Sequence, residues 1–336
     1  MSEPSAAPHN DAHVSAAGVG GRGDAARPGS AAHHAARGSS PGTRQGLWET
    51  LTSAVRCPVC RAELEVGERS LRCPRRHTFD MARQGYVSLL AGGRRTVNAD
   101  TAAMVQARAD FLGAGHYAPL TDALGRLAAS LRAPGDGLVL DAGAGTGHYL
   151  AAVLEALPGA VGLALDASPY ALRRAARAHP RAGAASWDVW QPFPVRDGCA
   201  DVVLNVFAPR NGGEFHRVLR PGGALLVVTP TRRHLRELRE RLGLLDVDPE
   251  KEARLERALS GFFVRERAES LEYTVSLSAR EVENLASMGP AARHVEPREL
   301  IARVAALGEP VEVTVSVDVF VYVAAGRTEP AGGTDE

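Results

Sequence analysis

Leu140-Asp141-Ala142-Gly143-Ala144-Gly145-Thr146-Gly147 is the stretch on which the reading of this chain turns. A short apolar run, Gly137 to Leu140, leads into it, and a segment of helical spacing from about Tyr149 to Ala156 follows. Strand, glycine-rich turn and helix in that order make the opening unit of a parallel α/β sheet. Working outward, the alternation repeats. Ala160 to Leu165 reads as a strand ending at Asp166, and Pro169 to Ala178 as a helix capped by Ser168 with Pro169 at its first position. Further strands are expected at Ala184 to Trp187, Asp201 to Val206 and Ala224 to Thr229, with a short helix from Glu214 to Leu219 stopped by Pro221-Gly222-Gly223. Helices follow over Arg232 to Leu242 and Glu252 to Leu259. Leu271 to Leu277 alternates like a sixth strand, Ala279 to Met288 is helical, and Val311 to Val323, long and β-branched, reads as a final strand or strand pair. Before the loop, Thr101 to Leu112 and Tyr117 to Leu131 read as helices. The pattern predicts an α/β fold with a seven-stranded, mostly parallel sheet covered on both faces, and one added antiparallel strand at an edge.

A glycine-rich loop after a strand lets backbone approach a ligand closely, and by itself it would serve a dinucleotide equally well. Three details favour S-adenosylmethionine. The glycines are spaced G-x-G-x-G after an aspartate rather than G-x-G-x-x-G. Asp166, 19 residues beyond Gly147, ends the second strand, where a carboxylate accepts ribose hydroxyls. Leu219-Arg-Pro-Gly-Gly-Ala-Leu leads into the fifth strand as it does in class I, Rossmann-like methyltransferases. The candidate cofactor residues are therefore Gly143, Gly145, Thr146, Gly147 and His148 in the loop, Asp141 near the ammonium group, and Asp166.

A second constellation precedes the sheet. Cys57-Pro-Val-Cys60 and Cys73-Pro-Arg-Arg-His77 make C-x2-C-x12-C-x3-H, two close pairs joined by a hairpin-length spacer with Gly67 at its turn. Three thiols and an imidazole at that spacing suit a tetrahedral Zn²⁺, and so small a segment draws much of its folding energy from the metal. Cys57, Cys60, Cys73 and His77 are the expected ligands; Cys199, distant in sequence, reads as an ordinary thiol. Residues 51–95 carry nine Arg against four acids, and Phe79 and Tyr86 offer flat surfaces, a combination suited to RNA. The knuckle is expected to fold separately. On that view a Cys73→Ser change unfolds it while the large domain keeps its cofactor, and Arg75 and Arg76 supply phosphate contacts.

The 336 residues, with 39 basic and 39 acidic side chains and 45% hydrophobic content, are enough for about two domains and a sizeable core. Four cysteines exclude a disulfide scaffold, and no run is apolar enough to span a membrane. With no signal peptide, a cytoplasmic location is expected. From Ser2 to Gln45 the only large apolar residues are Val14 and Val19, so residues 1–46 are expected to be a disordered tail, in which His33-His34 is a solvated pair. The knuckle then spans 47–92, the methyltransferase domain 93–326, and residues 327–336 fray. Lys251 is the sole lysine beside 38 Arg and 57 Ala, which reads as coding bias and warns against treating every Arg as a phosphate ligand.

With both constellations in view, the chain resembles the 23S rRNA (guanine-N1)-methyltransferases, including the resistance enzymes of macrolide-producing actinomycetes. The resemblance begins near Val55. It is carried by Cys57–Cys60, by Cys73-Pro-Arg-Arg-His77-Thr-Phe-Asp80-Met-Ala-Arg-Gln-Gly85-Tyr86-Val-Ser-Leu-Leu90, by Gln106-Ala-Arg108 through Gly-His116-Tyr117-Ala-Pro-Leu120, by Phe207-Ala-Pro209, and by Thr229-Pro-Thr-Arg-Arg-His234. It implies a zinc domain joined to a class I methyltransferase domain, hairpin 35 of 23S rRNA as the partner, and Tyr117 and His234 as further cofactor residues; it leaves a homodimer open. Family members divide between guanines 745 and 748, and the actinobacterial composition favours 748, the position tied to tylosin-like macrolides. Asn205-Val-Phe-Ala-Pro209 departs from the D/N-P-P-Y motif of exocyclic-amine methyltransferases, in keeping with a ring-nitrogen target. No side chain identifies itself as the catalytic base. The rival readings are a small-molecule methyltransferase with a structural zinc knuckle, and a non-catalytic RNA-binding module.

Overall fold

The computed structural model describes residues 43–90, 99–131, 137–243, 250–289 and 296–325. The expected tail up to residue 42, with His33-His34, and the expected frayed end at 327–336 lie outside these residues. Order starts earlier than the composition suggests. Thr43 caps helix α1 (Arg44–Leu51) by accepting from the Gly46 amide at 3.1 Å, and Leu47, Trp48 and Leu51 are buried. Residues 43–46 therefore belong to the fold and not to the tail: the cap and Trp48 give the helix both a start and a buried face.

A small three-stranded antiparallel sheet follows, β1 (Glu65–Val66), β2 (Ser70–Arg72) and β3 (Thr78–Asp80), in that order. Gly67 turns the hairpin, its amide donating to the Ser70 carbonyl at 2.7 Å. Two helices come next, α2 (Ala102–Gly113) and α3 (Ala118–Ser130), then the main body: β4 (Leu138–Ala142), α4 (His148–Ala156), β5 (Val161–Asp166), α5 (Pro169–Ala178), β6 (Ala182–Ser186), β7 (Ala200–Val206), α6 (Gly212–Val218), β8 (Leu219–Pro230), α7 (Arg236–Leu242), α8 (Lys251–Leu259), β9 (Phe263–Leu277), α9 (Ala279–Ser287), α10 (Pro297–Ala305) and β10 (Val311–Ala324). The large sheet runs β6-β5-β4-β7-β8-β10-β9. All neighbours from β6 to β8 pair in parallel, and β10 is antiparallel to both β8 and β9.

The antiparallel strand is thus not at the edge, as expected, but second from it. The burial patterns give the reason. β10 is buried nearly throughout, so it needs a neighbour on each side, whereas β9 alternates between exposed and half-buried and holds the edge. β9 also begins eight residues before the expected Leu271, because its charged first half carries no hydrophobic alternation to read. Helix α10 had no counterpart in the expectation.

Alternate residues of each strand feed two cores. Val139 of β4 and Ala164 of β5 face one side with α3, α4, α5, α7 and α9. Leu138, Leu140, Leu163 and Leu165 face the other, where they meet Trp48 and Leu51 of α1 and Cys57, Leu71, Phe79, Val87 and Leu89 of the zinc-ribbon segment. Among the described residues the connection from β6 to β7 contains no helix. The ribbon and α1 cover the face that such a helix would otherwise cover. Backbone hydrogen bonds reinforce the join: Val87 donates to Ala184 and accepts from Ser186, each at 2.9 Å, so it extends the large sheet beyond β6. Arg61 donates to the carbonyls of Phe193 and Val195. The ribbon is therefore not the separately folded unit expected from the sequence.

Candidate active site and metal centre

A parallel sheet places the carboxyl ends of its strands on one side, and the main cleft, about 670 Å³, opens there. Three glycines of the loop after β4 lie at positive φ, and each does a different job. A Cβ on Gly143 would lie 2.6 Å from the Cβ of Ala208, so this glycine admits the loop that follows β7. Gly145 turns its amide onto Asp166 Oδ2 at 2.8 Å. A Cβ on Gly147 would lie 2.9 Å from the Ala175 backbone, so Gly147 lets α5 pack against the loop.

Of the expected cofactor residues, Tyr117, Asp141, Gly143, Gly145, Thr146, Asp166 and His234 line this cleft together. Gly147 and His148 do not. Gly147 is turned toward α5, and His148 sits on the first turn of α4 against Tyr149, where burial lowers its pKa.

Asp141 is 1% exposed, and its Oδ2 has no hydrogen-bond partner among the described residues. Burial, with the charge of Asp166 adding to it, pushes its pKa up to about 8. A buried carboxylate oxygen left unpaired at a cleft is costly by itself and suits a cationic ligand. Asp166 is also raised by burial, though amides of Ser168 and Gly145 donate to its two oxygens, each at 2.8 Å, and counter the rise. Those bonds fix the carboxylate and leave each oxygen a further lone pair for a hydroxyl.

On the opposite wall, His234 Nδ1 accepts from the Ser316 amide at 3.2 Å. In the neutral ring the proton then belongs on Nε2, which faces the Tyr117 hydroxyl oxygen at 3.3 Å. Tyr117 is 1% exposed, and burial raises its pKa, so it stays a phenol and a donor. Phe207 stacks on His234, with ring centroids 6.0 Å apart and an interplanar angle of 25°, and meets Tyr149 edge-on at 6.3 Å. Its φ of 52° is an uncommon conformation for an aromatic residue. Asn205, wholly buried, holds that loop by donating to the Ala142 and Pro209 carbonyls at 3.3 and 2.8 Å.

Arg108, Asp100, Tyr149, Phe207, Asp188 and Trp190 also line the cleft, and none was assigned a site role from sequence. Arg108 bridges Asp100 at 2.5 Å and the Met288 carbonyl at 2.7 Å. Asp188 follows β6 as Asp166 ends β5, so the strand-end rule that found Asp166 would have found it too.

In the ribbon, the Sγ atoms of Cys57, Cys60 and Cys73 and a ring nitrogen of His77 lie within 4.8 Å of one another. Cys60 and Cys73 sulfurs are 3.7 Å apart, and His77 Nδ1 is 3.3 Å from Cys73 and 3.5 Å from Cys57. Zinc–sulfur bonds of about 2.3 Å in a tetrahedron put sulfurs about 3.8 Å apart, so the donor set and its spacing fit Zn²⁺.

Comparison with known proteins agrees with both constellations. The zinc-ribbon family profile described as RlmA, N-terminal, matches residues 55–92, and a methyltransferase-domain profile matches residues 139–223. A protein of Micromonospora griseorubida described as "Putative 23S rRNA (guanine-N(1)-)-methyltransferase" is 54% identical over 285 residues, covering 80% of this chain and 96% of the relative. The 23S rRNA (guanine(748)-N(1))-methyltransferase of Streptomyces fradiae is 52% identical, covering 78% of this chain and 94% of the relative. YxjB of Bacillus subtilis, described in the same words as the Micromonospora protein, is 31% identical and is covered over 96% of its length. Relatives this similar, aligned from the ribbon into the methyltransferase domain, place the chain in the 23S rRNA (guanine-N1)-methyltransferase family, with a zinc ribbon joined to an S-adenosylmethionine-dependent methyltransferase fold.

Proposed function

We propose that this chain methylates N1 of a guanine in hairpin 35 of 23S rRNA, and that the guanine is 748. The observation that carries the reading is the 52% identity to the Streptomyces fradiae enzyme, whose name specifies that position. Tyr117, Asp141, Gly143, Gly145, Thr146, Asp166 and His234 form the cofactor side of the cleft in this reading, and Cys57, Cys60, Cys73 and His77 hold the zinc. Bound S-adenosylmethionine supplies an electrophilic methyl on a sulfonium. The unpaired Asp141 oxygen receives the ammonium group, Asp166 the ribose hydroxyls, and the Tyr117 phenol donates into the cleft. Phe207 and Trp190 (the latter 65% exposed at the rim) offer flat faces to an unstacked base.

Guanine N1 carries a proton that must pass to solvent as the new bond forms. The acids of the cleft are already assigned: Asp141, whose Oδ2 is unpaired among the described residues, takes the ammonium group in this reading. Asp100 pairs with Arg108, Asp166 holds two amides, and Asp188 accepts from the Trp190 amide at 3.0 Å. Alignment of the base against the methyl, within about 3 Å, is accordingly the main contribution of these walls.

Incubation with S-adenosylmethionine and unmodified 23S rRNA, followed by reverse transcription, tests this. A methyl on N1 blocks Watson–Crick pairing, so a stop is expected at guanine 748. A stop at another guanine of the hairpin changes the position and keeps the reaction; full-length cDNA throughout refutes the proposal. If 748 is the target, expression in a susceptible host raises tolerance to tylosin-like macrolides.

A further inference from the structure

A second groove, about 470 Å³, lies beside the first and belongs to neither the cofactor wall nor the metal centre. It is lined by Arg83 and Gln84 of the ribbon, Gln106 of α2, and Arg173, Arg174 and Arg177 of α5, with Tyr170 at one side. No carboxylate lines it, and among the described residues none of its four arginines forms a salt bridge. Coding bias explains why this chain uses Arg in place of Lys, but it does not explain an absence of acids. Every other described helix that carries Arg also carries Asp or Glu: α7 reads Arg-Glu-Leu-Arg-Glu-Arg-Leu, and α8 and α10 mix charges in the same way. Helix α5, Pro-Tyr-Ala-Leu-Arg-Arg-Ala-Ala-Arg-Ala, has three arginines and no acid.

The placement is ordered. Ala171, Leu172, Ala175 and Ala176 bury one face of α5, which turns Tyr170, Arg173 and Arg177 outward. Arg173 lies over the Tyr170 ring at 5.3 Å. Arg174 is held by Gln106, whose amide donates in turn to Asp110 at 2.7 Å. Arg83 is carried by a tight turn in which the Ala82 amide donates to Tyr86 and the Gly85 amide to Ala82, both at 2.8 Å. Groove and cleft share their boundary. Ala102 and Gln106 face the groove while Arg108, on the same helix, faces the cleft, and Asp166 lies four residues before Tyr170.

We propose that this groove holds the phosphodiester backbone of the RNA substrate next to the base being methylated, so that ribbon and α5 grip one strand together. Four guanidiniums beside the cleft, with no acidic partner among the described residues, attract a polyanion, and counterion release makes such binding steeply salt-dependent. Because the groove recognises phosphate, it contributes equally on a stem of unrelated sequence. The proposal rests on the RNA reading above only in the nature of the polyanion.

The test is a triple substitution, Arg83→Ala, Arg173→Ala and Arg177→Ala, with Arg174 left in place because Gln106 holds it. A control triple, Arg126→Ala, Arg257→Ala and Arg265→Ala, removes the same charge from arginines already paired with Glu269, Glu250 and Glu252. Binding of a hairpin-35 transcript and of an unrelated stem-loop is measured across a salt series. The groove variant is expected to lose roughly tenfold or more in affinity for both RNAs near 0.1 M salt, and about 2–3 in the log–log salt slope. S-adenosylmethionine affinity should stay at the wild-type value, which also shows that the variant is folded. An unchanged slope, or an equal loss in the control triple, overturns the proposal. Primer extension reads the target guanine separately, so a wrong target and a wrong docking surface give different results.

Discussion

At Asp141 a single unpaired oxygen dictates how pH governs ligand binding. Its pKa near 8 means that the unliganded chain holds this carboxyl protonated at neutral pH. Receiving an ammonium group requires the carboxylate, so binding releases a proton, and affinity rises by up to about tenfold per pH unit from pH 6 toward 8. Asp141→Asn should flatten that rise and weaken binding by about 1.5–3 kcal/mol, the usual worth of a hydrogen bond to a charged group. Calorimetry in two buffers of different ionisation enthalpy would read the proton directly; an Asn variant with the wild-type pH slope would refute the assignment. Stability gives an independent reading. An acid whose folded pKa lies above its unfolded value of 3.8 destabilises the fold progressively as pH rises from about 4 toward 8, so Asp141→Asn should raise the Tm of the unliganded chain at pH 7. Asp166 behaves differently because it also anchors the loop. Asp166→Asn is expected to weaken cofactor binding and to loosen the Gly145 turn, visible as faster amide exchange at Gly145.

Helix α1 does not read as a helix from the sequence, although its second half falls within the expected ribbon segment. Its start is written in Thr43 and its buried face in Trp48 and Leu51, yet eight residues beside an Ala, Gly and Ser tail carry too little periodicity to stand out. What reveals it is the strand beneath. A Cβ on Gly183 of β6 would sit 2.3 Å from Leu51 Cδ1 and 3.5 Å from the Trp48 ring. Gly183→Ala should therefore cost about 1–3 kcal/mol by overpacking, and Leu51→Ala in the same chain should recover part of it, a favourable coupling in a denaturation double-mutant cycle. Simple additivity would mean that α1 does not rest on β6. The parallel strands were legible because each carries a short apolar run, and β4 and β5 reach an aspartate, Asp141 and Asp166, at their carboxyl ends. The β9–β10 arrangement was not, since an alternating charged strand and a fully buried one identify their neighbours only through tertiary pairing. The same contrast holds at the site. Glycines and strand-end aspartates announce themselves by spacing, whereas Arg108, Tyr149 and Trp190 become site residues only when α2, α4 and the segment after β6 converge on one cleft.

Across the whole molecule, the ribbon is structural to the catalytic sheet, and this sets the consequence of losing zinc. One hydrophobic core runs from Cys57, Leu71 and Phe79 through Trp48 to Leu138, Leu163 and Val203, so the metal centre and the parallel sheet bury each other's surface. The join reaches the cleft as well. Ser186, at the end of β6, donates its amide to Val87 and accepts the Leu90 amide on its hydroxyl at 3.2 Å, and the next residues, Trp187 to Trp190, line the cofactor cleft. Zinc stabilises isolated fingers by about 10–16 kcal/mol, most of it consumed in folding them. Even a few kcal/mol of the remainder would move the Tm of a domain this size by on the order of 10 °C. Chelation, or Cys73→Ser, is therefore expected to lower the Tm of the whole chain in a single calorimetric transition and to weaken S-adenosylmethionine binding, because the wall from Trp187 to Trp190 loses its backing. This differs from the outcome expected of two independent units, in which a small ribbon transition disappears while the large one and the cofactor affinity stay put. Differential scanning calorimetry with and without a chelator, followed by cofactor titration of the metal-free protein, distinguishes the two. Two resolved transitions with an unmoved upper one would show that the shared core contributes nothing to cooperativity.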